Sequence, residues 1–104
     1  MTISEIKDKL RRNEFEISLH AFEEAVDDFI SLNEVIGAIL ANGEIIEQRP
    51  EDFRCLVYCK SKQQHIHAVF DYHDFSKGLC LEIEIVTIYK PDPALWINYR
   101  KRKK

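Results

Sequence analysis

The sequence predicts an α+β domain in which three N-terminal helices pack on one face of a four-stranded antiparallel sheet, followed by a short C-terminal helix. Three observations lead to this fold. Residues 3–43 carry helix-spaced apolar positions with capping signals, and residues 44–90 carry alternating apolar runs broken by turn residues. The two kinds of pattern do not interleave, which separates α+β from a parallel α/β sheet.

The elements follow in order. Thr2 stands before Ile3-Ser4-Glu5 at capping-box spacing, and Ile3, Ile6 and Leu10 share a stripe, so a helix runs from Ile3 to about Asn13. Phe15 to Ser18 reads as a connector. His20 to Ile30 is a second helix, with Ala21, Phe22, Ala25, Val26 and Phe29 inward and Glu23, Glu24, Asp27 and Asp28 outward. Ser31 and Glu34 repeat the capping box, and a third helix buries Val35, Ile36, Ile39 and Leu40 before Asn42-Gly43 ends it.

Strands are expected at Glu44–Gln48, Phe53–Lys60, His65–Tyr72 and Leu79–Tyr89, with His73 in the turn before the last. Phe53, Cys55, Val57 and Cys59 share a face, because side chains alternate along a strand. In the third strand Ile66, Ala68, Phe70 and Tyr72 oppose His65, His67, Val69 and Asp71. In the fourth, Leu79, Leu81, Ile83 and Ile85 oppose Cys80, Glu82, Glu84 and Val86. Helices covering the Ile66/Phe70 side leave the histidine side open. Pro91 and Pro93 stop the last strand, and Pro93 suits the first turn of a short helix reaching Trp96 or Asn98. Trp96 is read as a plug over the end of the sheet.

The 104 residues fit one domain, 1–98, with a basic tail, 99–104. The charged N-terminus has no signal-peptide pattern, and no apolar run reaches the roughly 20 residues a membrane span needs, so a cytoplasmic protein without a membrane contact is expected. Cys55 and Cys59, four apart in one strand, lie about 13 Å apart along it, beyond disulfide reach, and the zinc spacing CxxC is absent. Three thiols in a reducing compartment fit these facts, and neither a metal nor a cofactor is expected. The net charge of −3 argues against a dedicated nucleic-acid binder. The charge is uneven, however: acidic residues gather in EFEISLHAFEEAVDDF and basic ones in YRKRKK. The tail reads as a solvated terminus, or as an arm for nucleic acid or an acidic partner that carries Arg100, Lys101 and Arg102.

Four histidines supply the groups that titrate near neutrality. His65 and His67 project from one strand face, and His20 opens the second helix, where the helix N-terminus attracts anions. His20 and His67 can serve as a general base and general acid on a ribose phosphodiester, with the hydroxyls of Thr87 and Tyr89 holding the phosphate. The bland reading makes His20 a locally bonded helix residue and His67 a half-exposed strand residue. An HxH metal site is a third reading, on a short and common pattern. The edge strand Glu44–Gln48 can pair with another chain, so a homodimer is open.

These residues also form an ordered set: His20-Ala21, Ile30-Ser31 with Glu34-Val35, Ala38-Ile39 before Gly43-Glu44, Ile46-Glu47, Leu56, His67, and Thr87-Ile88-Tyr89-Lys90-Pro91-Asp92 with Trp96. The set resembles the bacterial domain-of-unknown-function 4258 family over roughly residues 17–97. That family is similar in layout to the RelE and BrnT toxins, whose helices cover one side of an antiparallel sheet while the other takes RNA. The resemblance implies a metal-independent ribonuclease, the toxin half of a toxin–antitoxin pair, with a small zinc-ribbon antitoxin as partner. It implies a site at His20, His67, Thr87 and Tyr89. The chain departs from the family in the second helix, where Glu23, Glu24, Asp27 and Asp28 replace the expected arginines. That departure supports an alternative, a non-catalytic protein-interaction domain on the same fold.

Overall fold

Side-chain caps fix all three helix starts. In the computed structural model, which describes residues 1–72 and 83–103, the helices are α1 (Ile3–Arg11), α2 (Leu19–Asp27) and α3 (Leu32–Asn42). Thr2 and Glu5 form the reciprocal capping box of α1. The hydroxyls of Ser18 and Ser31 accept from Ala21 N and Glu34 N and cap α2 and α3. The strands are β1 (Phe15–Ile17), β2 (Glu44–Arg49), β3 (Arg54–Ser61), β4 (Gln64–Tyr72), β5 (Ile83–Tyr89), β6 (Trp96–Ile97) and β7 (Lys101–Arg102). The expected turn holding His73, and the placements of Leu79, Cys80, Leu81 and Glu82, lie outside the described residues.

The α+β class holds, with two corrections. The sheet has five strands in the order β1-β5-β4-β3-β2 and is mixed, because the Phe15–Ile17 connector is a strand pairing parallel with Ile83–Ile85. Ser18 extends the join, with its N–H donating to Ile85 O and its hydroxyl to Val86 O. The expected C-terminal helix is instead a β6–β7 hairpin, turned through Asn98 and Tyr99, both at positive φ. Asn tolerates that conformation, while Tyr bears strain there.

The helices cover the expected side. Ile66, Ala68 and Phe70 of β4, Cys55, Val57 and Cys59 of β3, and Ile83, Ile85 and Ile88 of β5 join Ile6, Leu10, Val35 and Ile39 in one buried core. Burial raises the Cys55 and Cys59 thiols to about 11 and about 12, so both stay protonated and inert near neutrality. Among the described residues, no helix is long and apolar enough to cross a membrane.

The second helix departs from its expected orientation. Ala21 and Ala25 are buried, but Phe22 and Val26 are exposed, as is Phe29 just past the helix. The reason lies at the edge of β5. Beyond the end of β1 the Ile88 N–H has no strand partner, and the Glu24 carboxylate accepts it at 3.1 Å. Turning Glu24 toward the sheet turns Phe22 and Val26 away, since they lie roughly opposite it at 100° per residue.

Two bulges set the other side of the sheet. Strict alternation would place Thr87 and Tyr89 with Ile83 and Ile85 in the core. The β4–β5 register runs from Val69↔Thr87 to Phe70↔Ile85, leaving Val86 as an extra residue. That residue sends Ile88 inward and brings Thr87 and Tyr89 to the face of His67. An extra Ile46 does the same in β2 and places Glu47 beside Leu56. Three rows cross this face from β2 to β5: Glu44–Tyr58–His67–Tyr89, Glu47–Leu56–Val69–Thr87 and Arg49–Arg54–Asp71–Glu84.

Candidate functional site

The C-terminal hairpin lies over the first of these rows, so the histidine side is not open as expected. His67 is fully buried, with Trp96 edge-on to its ring at a centroid distance of 4.5 Å. Its Nε2 lies 2.6 Å from the carbonyl of Tyr99, and its Nδ1 lies 3.0 Å from the hydroxyl of Tyr89. A carbonyl only accepts, so Nε2 carries the proton. Burial lowers the His67 pKa, partly offset by the Tyr99 carbonyl, so the ring is neutral near pH 7 and Nδ1 accepts. The Tyr89 hydroxyl is therefore the donor in that bond, and its oxygen keeps its lone pairs for another partner. Burial raises the Tyr89 pKa, which keeps the phenol protonated.

His65 is held in the same way, its ring stacked on Tyr99 at 3.7 Å with the Tyr58 hydroxyl 2.7 Å from its Nδ1. Burial foremost, then Lys60 and Arg100, lowers its pKa. The basic tail is folded rather than a free arm. Arg100 pairs with Glu44 and covers the Tyr58 ring, while Arg102 makes two hydrogen bonds to Glu47, at 2.7 and 3.1 Å, and covers the Trp96 ring. Lys101 is exposed.

His20 is exposed, with Nε2 3.2 Å from the Glu24 oxygen that caps Ile88. No hydrogen bond or ring contact joins His20 to His67 among the described residues. The expected acid/base pair is thus not assembled: one ring stands in solvent at the β5 edge and the other is enclosed under the hairpin. Tyr89 with His67 is the pair that the structure brings together, and Thr87 sits in the adjacent row.

The hairpin reaches the second row through Arg102, which bonds Glu47, and Leu56 in that row is buried. There lies a groove of about 180 Å³, whose polar lining includes Glu47, Arg49, Arg54, Thr87, Tyr89 and Arg102 over a floor of Leu56 and Val69. Arg54 is held by Asp71 and Arg102 by Glu47, whereas Arg49 has no ion pair among the described residues. The groove is therefore cationic in a chain of net charge −3. Sequence reasoning did not single out Arg49, which falls between two expected strands, or Arg54, which falls within the Phe53–Lys60 strand opposite its apolar face. Their position two residues beyond Glu47 and two before Leu56 is the signal that places them on this face once the Ile46 bulge is known. Among the described residues no three His, Cys, Asp or Glu side chains gather as a metal-binding group.

A family model described as "Domain of unknown function (DUF4258)" matches residues 17–90. No curated protein and no solved structure matches the chain.

Proposed function

Because the chain belongs to the DUF4258 family, whose description names no activity, we propose its function from the groove: a toxin-like, metal-independent endoribonuclease that takes RNA across the helix-free face of the sheet. The observation that carries this reading is the convergence of Arg49, Arg54 and Arg102 with the hydroxyls of Thr87 and Tyr89 around one groove. A volume of about 180 Å³ is below the ~300–1,000 Å³ of sites that engulf a small molecule. It suits one phosphate of a polymer that continues beyond the groove.

RNA carries its own nucleophile. Its 2′-hydroxyl attacks the adjacent phosphorus, the bond to the 5′-oxygen breaks, and charge builds on the phosphoryl oxygens. Guanidiniums stabilise that charge, and two held in place by Asp71 and Glu47 need little reorganisation to do so. Arg49 is free to follow the phosphate, and the Thr87 hydroxyl donates to one of its oxygens. The Tyr89 oxygen accepts the 2′-hydroxyl proton as its own proton passes to His67 Nδ1, and water protonates the leaving 5′-oxygen. In this reading His67 acts through Tyr89, and His20 lies outside the reaction. Lys101 flanks the path of the strand. The protein acts in the cytoplasm, and a small antitoxin protein restrains it.

The test is to express the full chain alone in a bacterial host and follow growth and total RNA, beside Arg49→Ala and Tyr89→Phe. The expected result is arrest with RNA fragments ending in 2′,3′-cyclic phosphate for the unaltered chain only. Undiminished growth with intact RNA overturns the nuclease.

A second reading, a non-catalytic interaction domain on the same fold, has its own support. Two of the three groove guanidiniums are already paired, and no Lys or Arg occurs between Asn13 and Gln48. A well-folded chain that leaves RNA intact in the same experiment favours this reading.

A further inference from the structure

The outer side of α2 carries large apolar side chains where a helix of a small domain ordinarily carries polar ones. Leu19, Phe22 and Val26 recur at intervals of three and four, on one stripe, and Phe29 follows at the helix end. They are 71%, 50%, 55% and 91% exposed. A contiguous patch of this kind marks an interaction surface far more often than scattered apolar residues do.

Phe29 adds a second observation. It occupies the position after the helix where the backbone turns left-handed, at φ 58, and Ile30 N there bonds back to Ala25 O. Glycine is the residue that suits this position, and an aromatic there is strained. The chain carries that strain while the ring remains in solvent, so the ring adds nothing to the core that would offset it. A strained and exposed aromatic is what a binding function retains against stability.

Charge selects the occupant. Glu23 and Asp27 flank the stripe, and no Lys or Arg occurs from Asn13 to Gln48. A nucleic acid or an anionic lipid surface is repelled by this side, and a second copy would bring acidic flank against acidic flank. We propose that the outer face of α2 is a docking site for a basic amphipathic segment of a partner protein, whose apolar side chains cover Phe22, Val26 and Phe29 while its lysines or arginines meet Glu23 and Asp27. This is the helix-on-helix mode of recognition, with apolar anchors and a charged rim. It stands apart from the groove reading, and none of its readouts involves RNA.

The experiment uses the full chain and a fluorescent amphipathic Leu/Lys helical peptide, with a Leu/Glu peptide of the same apolar pattern as control, read by fluorescence anisotropy. Phe29→Gly removes the ring and relieves the left-handed strain, so its melting temperature stays level or rises and a loss of binding is not a loss of fold. The expected results are binding of the Leu/Lys peptide alone, about tenfold weaker binding for Phe29→Gly, weaker binding again for Asp27→Lys, and no change for Glu51→Lys, a charge reversal remote from α2. Raising salt from about 50 mM to about 500 mM weakens the binding, as screening requires. The proposal is overturned if the Leu/Lys peptide does not bind, if Phe29→Gly binds it equally well, or if the Leu/Glu peptide binds as tightly. It is equally overturned by gel filtration showing a dimer that Phe29→Gly dissolves, or by Phe29-dependent sedimentation with phosphatidylglycerol vesicles.

Discussion

The Tyr89 hydroxyl donates to Nδ1 of the buried His67 across 3.0 Å, and the Tyr99 carbonyl on the far side of the ring fixes that direction. One imidazole thus connects the closing strand of the sheet, the hairpin above it and the wall of the groove. Tyr89→Phe leaves Nδ1 buried without a donor. An orphaned buried acceptor costs about 1–3 kcal/mol. The expected outcome is a fall of that size in unfolding free energy, measured by urea titration, with the denaturant slope unchanged.

Stability also depends on pH through the same ring. The folded pKa of His67 lies below its usual 6.5, so the unfolded chain binds the proton more readily. The stabilisation is complete above about pH 6.5 and is lost as pH falls toward the depressed folded value. His65, lowered for the same main reason, adds to the loss in the same direction. Thermal melts between pH 8 and pH 5 are expected to show a falling midpoint below about pH 6.5, and His67→Asn should flatten the slope. A midpoint that holds or rises on acidification contradicts the buried neutral ring.

Trp96 is 5% exposed and lies between the His67 ring and the Arg102 guanidinium. Trp96→Ala removes the buried indole that packs the hairpin against His67. A loss of about 3–5 kcal/mol is expected, together with faster hydrogen exchange at Tyr99 to Arg102. Exchange that stays slow there would mean that the ion pairs to Glu44 and Glu47 and the Tyr99 contacts to His65 and His67 hold the hairpin without the indole.

Deleting Val86 tests the bulge. Without the extra residue, Ile85, Thr87, Ile88 and Tyr89 alternate regularly, so Ile88 stays in the core and Thr87 and Tyr89 stay on the face of His67. The expected product keeps the native near-ultraviolet circular dichroism. An alanine inserted between Thr87 and Ile88 instead turns Ile88 out and Tyr89 in, because a one-residue slip exchanges the two faces, and the expected product is unfolded or molten.

Much of the fold is legible in local signals. Thr2 and Ser31 stand one residue before the helices they cap, and the alternation of Ile66, Ala68, Phe70 and Tyr72 identifies the buried side of β4. What is not legible depends on distant partners. Phe15–Ile17 is too short to announce a strand, and the residues that make it one lie at 83–85. The bulges at Ile46 and Val86 occur at β-branched residues typical of regular strands, with no glycine to mark them. Asn98-Tyr99 lacks the glycine that marks a hairpin, so the two prolines before it read as a helix start. The site inherits these gaps. His67, Thr87 and Tyr89 could be named from their residue types, but the lid over His67 and the arginines beside Thr87 required the register of the whole sheet.

The first strand of this domain waits for a strand made much later. Ser18 and Val86 are separated by 68 residues. A ribosome adding about 5–20 residues per second needs roughly 3–14 s to cover that distance. Until then β1 has no mate and the β2–β3–β4 meander must assemble without it. Tyr99 and Arg102 emerge later still, so the groove is complete only after the C-terminal hairpin has been made.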